Sequence, residues 1–378
     1  MRVLLVQLSL APPGGGNAVA AWMAHALAGE HDLATLTLRD WQVADTNAFF
    51  GTAIAPAAIT KHVTRAPWRH LPEDRGRYFA LAALFRHARR LATRYDLLIT
   101  ADNWGTFAKR GIQYMHYPLA LTPGTPNPLV KLYFRISNAL AGVNREQAAH
   151  NLTLANSEWT AAGLEREQGI RARVLYPPVL DPGEGLPWEQ RHNSVLCIGR
   201  FSGSKRIERA ISIVQRLRAH ALPGARLIIV GSAVDREYAA RLRRFAARDR
   251  DWIDIREDLS RTDVNRLIGE CRYALQPAID EHFGMATAEM ARGGCLPFAH
   301  DSGGSPEVLG GQHALLWQTD DEAVARIGAV ARDPSLRQAL RSALRRHTRR
   351  FSVERFVDEF RTIVREWGSG QLAERRIV

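Results

Sequence analysis

Short apolar runs alternate along this chain with segments whose apolar residues recur at helical spacing. Val3–Leu8 is a continuous apolar run and predicts a buried strand. After a Gly14-Gly15-Gly16 turn, Val19, Trp22, Met23, Ala26 and Leu27 share one face of a predicted helix. The pattern then predicts strands at Leu33–Leu38, Asp96–Thr100, Gly111–Tyr117, Leu152–Asn156 and Val174–Tyr176. It predicts helices at Tyr78–Thr93, 130–149 and Trp159–Gln168. Pro177-Pro178 and Asp181-Pro182-Gly183-Glu184-Gly185-Leu186-Pro187 interrupt the alternation and mark a linker. A second alternation follows, with strands at Val195–Ile198, Leu227–Val230, Trp252–Arg256, Tyr273–Gln276 and Leu296–Ala299. The helices between them are Ile207–Leu217, Tyr238–Ala247, Asp263–Cys271 and Met285–Ala291.

Strands alternating with helices of this length imply parallel sheets covered on both faces. Ligands of such sheets bind beyond the carboxyl ends of the strands. The expected architecture is α/β, with two doubly wound Rossmann-like domains facing a cleft. The expected boundaries are 1–180 for the first domain and 190–350 for the second. A last helix, 352–367, has Phe356, Phe360, Ile363 and Val364 on one face and is expected to cross back to the first domain.

Composition narrows the class. With 378 residues and 46% hydrophobic residues, the chain is long enough for two cores. No apolar run approaches the roughly 18 residues of a membrane-spanning helix. The opening residues read as strand and turn, not as a signal peptide. Cys197, Cys271 and Cys295 are odd in number and lack metal-ligand spacing, so they are expected to be reduced, buried residues of a cytoplasmic protein.

The net charge is +12, and its distribution is uneven. Residues 61–94 hold nine Lys or Arg against only Glu73 and Asp74. Phosphate-rich partners follow: a nucleotide, an anionic membrane surface or nucleic acid. Nucleic acid is set aside, because no helix-turn-helix or aromatic RNA-binding signature accompanies the charge. Within this segment Arg77, Arg86, Arg89, Arg90 and Arg94 surround an apolar stripe of Leu81, Leu84 and Phe85. One reading is a helix lying on an anionic membrane; the other is that the stripe packs into the core.

Four features carry candidate chemistry. In Asp280-Glu281-His282-Phe283-Gly284-Met285-Ala286-Thr287-Ala288-Glu289, Gly284 permits a turn that exposes the amides of Phe283, Met285 and Ala286 at a helix start, where phosphate is attracted. Glu281 and Glu289 can accept hydrogen bonds from sugar and ribose hydroxyls, or they can be solvated glutamates of a surface helix. Arg200 and Lys205, five residues apart after a strand, can converge on a diphosphate, or simply form a basic turn. His116, in Tyr114-Met115-His116-Tyr117-Pro118, ends a strand and can reach substrate or serve the fold. Gly15 and Gly16 allow close backbone approach to an anion or sugar, but they do not form a dinucleotide fingerprint.

Taken together, these features resemble the family-4 retaining glycosyltransferases of the GT-B fold. The resemblance rests on Arg200 and Lys205, on Glu281-His282-Phe283-Gly284 with Glu289, on Gly293-Gly294 and on Gly303-Gly304-Ser305-Pro306-Glu307. It implies that Arg200 and Lys205 hold the donor diphosphate, that Glu281 contacts the donor sugar, and that Glu289 contacts the ribose. It places His116 in the cleft near the donor. Tyr114–Pro118, 155–160 (Ala-Asn-Ser-Glu-Trp-Thr) and Leu175–Val179 are similar to mannosyltransferases that extend lipid-linked oligosaccharides. The implied donor is a nucleotide sugar, GDP-mannose ahead of a UDP-sugar, and the implied acceptor a saccharide or lipid-linked saccharide. Neither a metal nor another cofactor is expected. Location at the inner face of a membrane is a further expectation. The alternative is another sugar-nucleotide enzyme of this shape, such as an epimerase or a phosphorylase.

Overall fold

The computed structural model describes residues 1–64, 73–118, 132, 135, 136, 139 and 145–371. The chain divides into two compact units, Met1–Pro178 with Val353–Val378, and Val179–Ser352.

The first unit is built on a seven-stranded parallel sheet. Its strands are β1 (Arg2–Val6), β2 (Asp32–Thr37), β3 (Ile59–Val63), β4 (Leu97–Thr100), β5 (Ile112–Met115), β6 (Leu152–Ala155) and β7 (Arg173–Val174). Their order is β3-β2-β1-β4-β5-β6-β7. The order reverses between β1 and β4, and such a switch point opens a crevice at the carboxyl edge. Leu4, Val6, Leu36, Leu98 and Phe107 form the core on one face.

The second unit repeats the plan with six parallel strands. They are β8 (His192–Ile198), β9 (Arg226–Gly231), β10 (Ile253–Glu257), β11 (Cys271–Gln276), β12 (Leu296–His300) and β13 (Leu316–Trp317). Their order is β10-β9-β8-β11-β12-β13, with the switch between β8 and β11. Leu196, Ile228, Leu267, Cys271, Met290 and Cys295 pack together beside this sheet. All three cysteines are buried and unbridged, and burial pushes the Cys197 thiol up to about 12.

The final helix, Val353–Gly368, belongs to the first unit. It buries Phe356, Val357, Phe360, Ile363 and Val364. Arg361 fixes its place there, with Nε donating to the Ala26 carbonyl at 2.8 Å and pairing with Glu30 at 3.0 Å.

The helix Glu73–Leu91 decides between the two readings of the basic segment. Leu84 is fully buried and Phe85 is 5% exposed, both in the first unit's core, with Leu81 packed against them. The stripe is core and is not available for insertion into a bilayer; Arg86, Arg90 and Arg94 are exposed around it. The helix expected at 130–149 lies mostly outside the described residues, and Arg145–His150 is helical. No helix among the described residues is long and apolar enough to cross a membrane.

Candidate functional site

The carboxyl edge of the second sheet gathers the residues singled out between 200 and 289. β8 ends at Ile198, and the chain turns through Gly199 to a 3₁₀ turn at Gly203–Lys205. Fully buried Phe201 anchors this loop. Gly199 N–H donates to the Val230 carbonyl at 3.0 Å, and Phe201 N–H to the Ser232 carbonyl at 2.9 Å. Arg200 is left exposed at the loop's outer side. Lys205 turns inward, and its Nζ lies 2.5 Å from the Glu281 carboxylate. Both side chains are shielded, 18% and 16% exposed, so this is not a solvated pair.

Glu281 is held by its backbone. Gly303 has φ +64°, and a Cβ there would stand 2.3 Å from the Glu281 carbonyl oxygen. A Cβ on Gly304 would stand 2.5 Å from the His282 carbonyl oxygen, and Gly304 N–H donates to the Glu281 carbonyl at 2.7 Å. The Gly303-Gly304 turn is therefore glycine because it must lie against the Glu281–Phe283 backbone. Ser302 Oγ adds a bond from Asp280 N–H at 2.8 Å. Burial keeps the His282 imidazole below its ordinary pKa, Glu281 opposing this and Lys205 adding to it.

Gly284, at φ +99°, starts the helix Met285–Arg292 without a side-chain cap. The first amides of such a helix have no acceptor within it, and its dipole adds partial positive charge. Phe283, 2% exposed, pins the turn by an edge-on contact with Phe351 at 5.2 Å. Thr287 Oγ1 is buried with no hydrogen-bond partner, one turn into the helix.

Glu289 is not a solvated glutamate. Its carboxylate is 10% exposed, accepts a hydrogen bond from Arg261 Nη1 at 3.2 Å and lies 2.8 Å from Arg261 Nη2 as an ion pair. Arg261 opens the helix after β10, behind the Ser260 cap. No spacing in the sequence announces it, because β10 and β11 are separated by β8 and β9 in the sheet. The Arg261 guanidinium restrains this carboxylate, which keeps further lone pairs for hydroxyl donors. Glu281 and Glu289 each have their own cation, so they do not form the paired acid and base of a glycosidase.

His116, Gly15 and Gly16 lie in the first unit. Gly15 and Gly16 begin the helix Gly15–Leu27, and a Cβ on Gly16 would stand 3.3 Å from His116 Nε2. The structure thus brings together the glycine turn and the histidine read separately from the sequence. His116 Nε2 lies 2.7 Å from the Ala101 carbonyl, its N–H donates to Asn103, and its carbonyl accepts from Asn156 Nδ2 at 2.8 Å. Ser157 in the same stretch is a helix cap, its Oγ accepting from Thr160 N–H at 3.1 Å.

Residues 184–347, most of the second unit, match the model of "Glycosyl transferases group 1". The second unit carries a glycosyl transferases group 1 domain. The chain is also 25% identical over 235 residues to the GDP-Man:Man(3)GlcNAc(2)-PP-Dol alpha-1,2-mannosyltransferase of Dictyostelium discoideum, covering 55% of this chain and 46% of that protein. It is 24% identical over 169 residues to the Candida glabrata protein of the same name, covering 41% of this chain and 34% of that one. The chain thus spans less than half the length of these relatives. Among solved structures it superposes on Anabaena HepE in complex with UDP and glucose, with TM-score 0.71, 17% identity and coverage of 96% and 99%. WaaG, a glycosyltransferase involved in lipopolysaccharide biosynthesis, gives TM-score 0.70 at 16% identity, with the same coverage. These likenesses establish the fold, a GT-B pairing of two Rossmann-like units.

Proposed function

We propose that the chain is a nucleotide-sugar-dependent glycosyltransferase. The donor binds the group 1 domain and the acceptor the first unit. The observation that carries this reading is the shielded Lys205–Glu281 pair, set beside an uncapped helix start and braced by a glycine turn. As the bond to the leaving diphosphate breaks, negative charge grows on phosphate oxygens. Lys205, Arg200 and the amides of Met285 and Ala286 would meet that charge, and fixed donors of this kind usually dominate catalysis. Arg261 holds Glu289 ready for ribose hydroxyls. Glu281, released from Lys205 by the incoming phosphates, accepts from the donor sugar. His116 acts near the donor sugar, and transfer proceeds with retained configuration.

The names of the mannosyltransferase relatives favour GDP-mannose as donor and a lipid-linked saccharide as acceptor. HepE, solved with UDP, keeps UDP-sugars as the comparison. Attraction to an anionic membrane surface would rest on the exposed Arg86, Arg90 and Arg94, since the apolar stripe beside them is core. A location on the cytoplasmic face belongs to this same reading.

Thermal unfolding with GDP-mannose, UDP-glucose and ADP-glucose tests donor binding. GDP-mannose should raise the unfolding temperature most, since about 100 times Kd of ligand adds about 2.7 kcal/mol. Glu289→Gln should weaken this binding by about tenfold or more, in line with loss of a charged hydrogen bond. No shift with any of the three would refute the reading.

A further inference from the structure

The second unit has a cavity of about 590 Å³ on the edge of its sheet opposite Lys205 and Glu281. It lies at the amino ends of the strands: Arg191 precedes β8 and Cys295 precedes β12. The helix Met285–Arg292 has its amino end beside Glu281 and its carboxyl end, Arg292-Gly293-Gly294, in the cavity wall. Eight helical residues separate the two places by about 12 Å.

Five arginines line the cavity, 191, 292, 341, 345 and 349, against Asp181 and Glu184. Two of them are engaged by the fold. Arg191 is buried and donates to the carbonyls of Leu186 and Gly293 at 2.8 Å and of Ile268 and Cys271 at 3.3 Å. Arg292 pairs with Asp181 at 3.1 Å and donates to the Thr348 carbonyl at 3.2 Å.

Arg341, Arg345 and Arg349 are different. They recur every four residues along one face of the helix Pro334–His347 and the turn that follows it, Thr348–Phe351. Like charges at this spacing repel. A helix dipole favours cations in the last turn, which accounts for Arg345 but not for Arg341, nearly two turns from the end. Arg341 lies over the Trp188 ring at 4.6 Å, and its Nε is buried without a hydrogen-bond partner. Burial lowers its pKa first; the charge of Arg191 adds to this, Glu189 opposes it, and Arg345 adds to it again. The free protein therefore holds a cluster of cations that an anion would stabilise.

We infer that this cavity is a second anion site, distinct from the one at Lys205, and that it takes a soluble compound bearing a diphosphate or two phosphate groups. Guanidinium forks bind phosphate oxygens two at a time. A single negative charge would leave most of the cluster uncompensated. The volume is that of a small-molecule site. The inference does not depend on the transferase reading.

Calorimetric titration of the full chain with inorganic pyrophosphate at low salt tests it, with inorganic phosphate as the weaker-binding comparison. Pyrophosphate should bind the Arg200→Ala/Lys205→Ala variant, in which the Lys205 site is disabled. In that background Arg341→Gln/Arg345→Gln should weaken binding at least tenfold. Exposed Arg349→Glu, which makes no bond that holds the fold, should weaken it severalfold and serves if the double change perturbs folding. Loss of all pyrophosphate binding in Arg200→Ala/Lys205→Ala would overturn the inference. So would unchanged affinity in the folded Arg341→Gln/Arg345→Gln variant or, where that variant does not fold, in Arg349→Glu.

Discussion

Lys205→Met is expected to reduce the rate of sugar transfer on the order of 10²-fold or more, as loss of one transition-state donor does. The Lys205 ammonium sits between a loop anchored by buried Phe201 and a carboxylate whose backbone is locked by Gly303 and Gly304. It is positioned before any ligand arrives, and in the proposed reading the incoming phosphates displace Glu281 and leave it facing the charge that develops on the departing diphosphate. Methionine keeps the stem and removes only the charge. The loss should fall mainly on kcat, because charge on the leaving group is greatest in the transition state. Glu281 also loses its partner, so nucleotide affinity alone is a poor readout. Arg200→Ala, at an exposed position, should fall in rate to a similar extent with no change in unfolding midpoint. Steady-state kinetics on both variants, with circular dichroism to confirm folding, check this. Wild-type kcat in both would remove the pair from the mechanism.

Gly231→Ala should be the most damaging single methyl group near the site. Gly231 ends β9, and a Cβ there would stand 1.9 Å from the Gly199 carbonyl oxygen and 2.8 Å from the Phe201 ring. The first of these is backbone, so no rotamer change relieves the clash. Gly199 and Phe201 are tied to β9 and its following loop through the Val230 and Ser232 carbonyls, and these bonds must stretch if the loop retreats. Forced overpacking typically costs about 1–3 kcal/mol. The displaced segment carries Arg200 and Lys205. A misplacement of about 1 Å in a catalytic group can cost on the order of 10²-fold in rate. Urea unfolding and kcat should therefore both fall. Wild-type values for both would show that the Gly199–Lys205 loop is not positioned by this contact.

Most of the sheet was legible because its strands are buried apolar runs. Val195–Ile198, Leu227–Val230 and Tyr273–Gln276 announce themselves that way, and the observed strands extend them by one to three residues. β3 was not legible. It is an edge strand whose Thr60 and Lys61 are exposed, so no apolar run marks it. β13 has two residues, too few for any pattern. The helices 320–332 and 334–347 follow the last expected strand and were not read, although Thr319 and Asp333 cap them.

The site divides along the same physical line. Glu281, Gly284 and Glu289 stand close in sequence, and Lys205 follows a predicted strand, so local spacing points to them. Arg261 and Gly231 act through contacts made only when β8, β9, β10 and β11 are assembled. The basic helix shows the converse. Its sequence fitted a membrane surface and a core equally, and only the burial of Leu84 and Phe85 decided between them.

The most direct test is transfer by the purified full chain. It is incubated with GDP-[¹⁴C]mannose and a polyprenyl-diphosphate-linked mannosyl oligosaccharide, with UDP- and ADP-glucose in parallel. The account predicts acceptor-dependent release of GDP and labelled mannose joined to the acceptor in the α configuration that it had in the donor. Conversion of the donor without acceptor would mark an epimerase, and a strict need for inorganic phosphate a phosphorylase. Either result, or no acceptor-dependent product from any of the three donors, would contradict it.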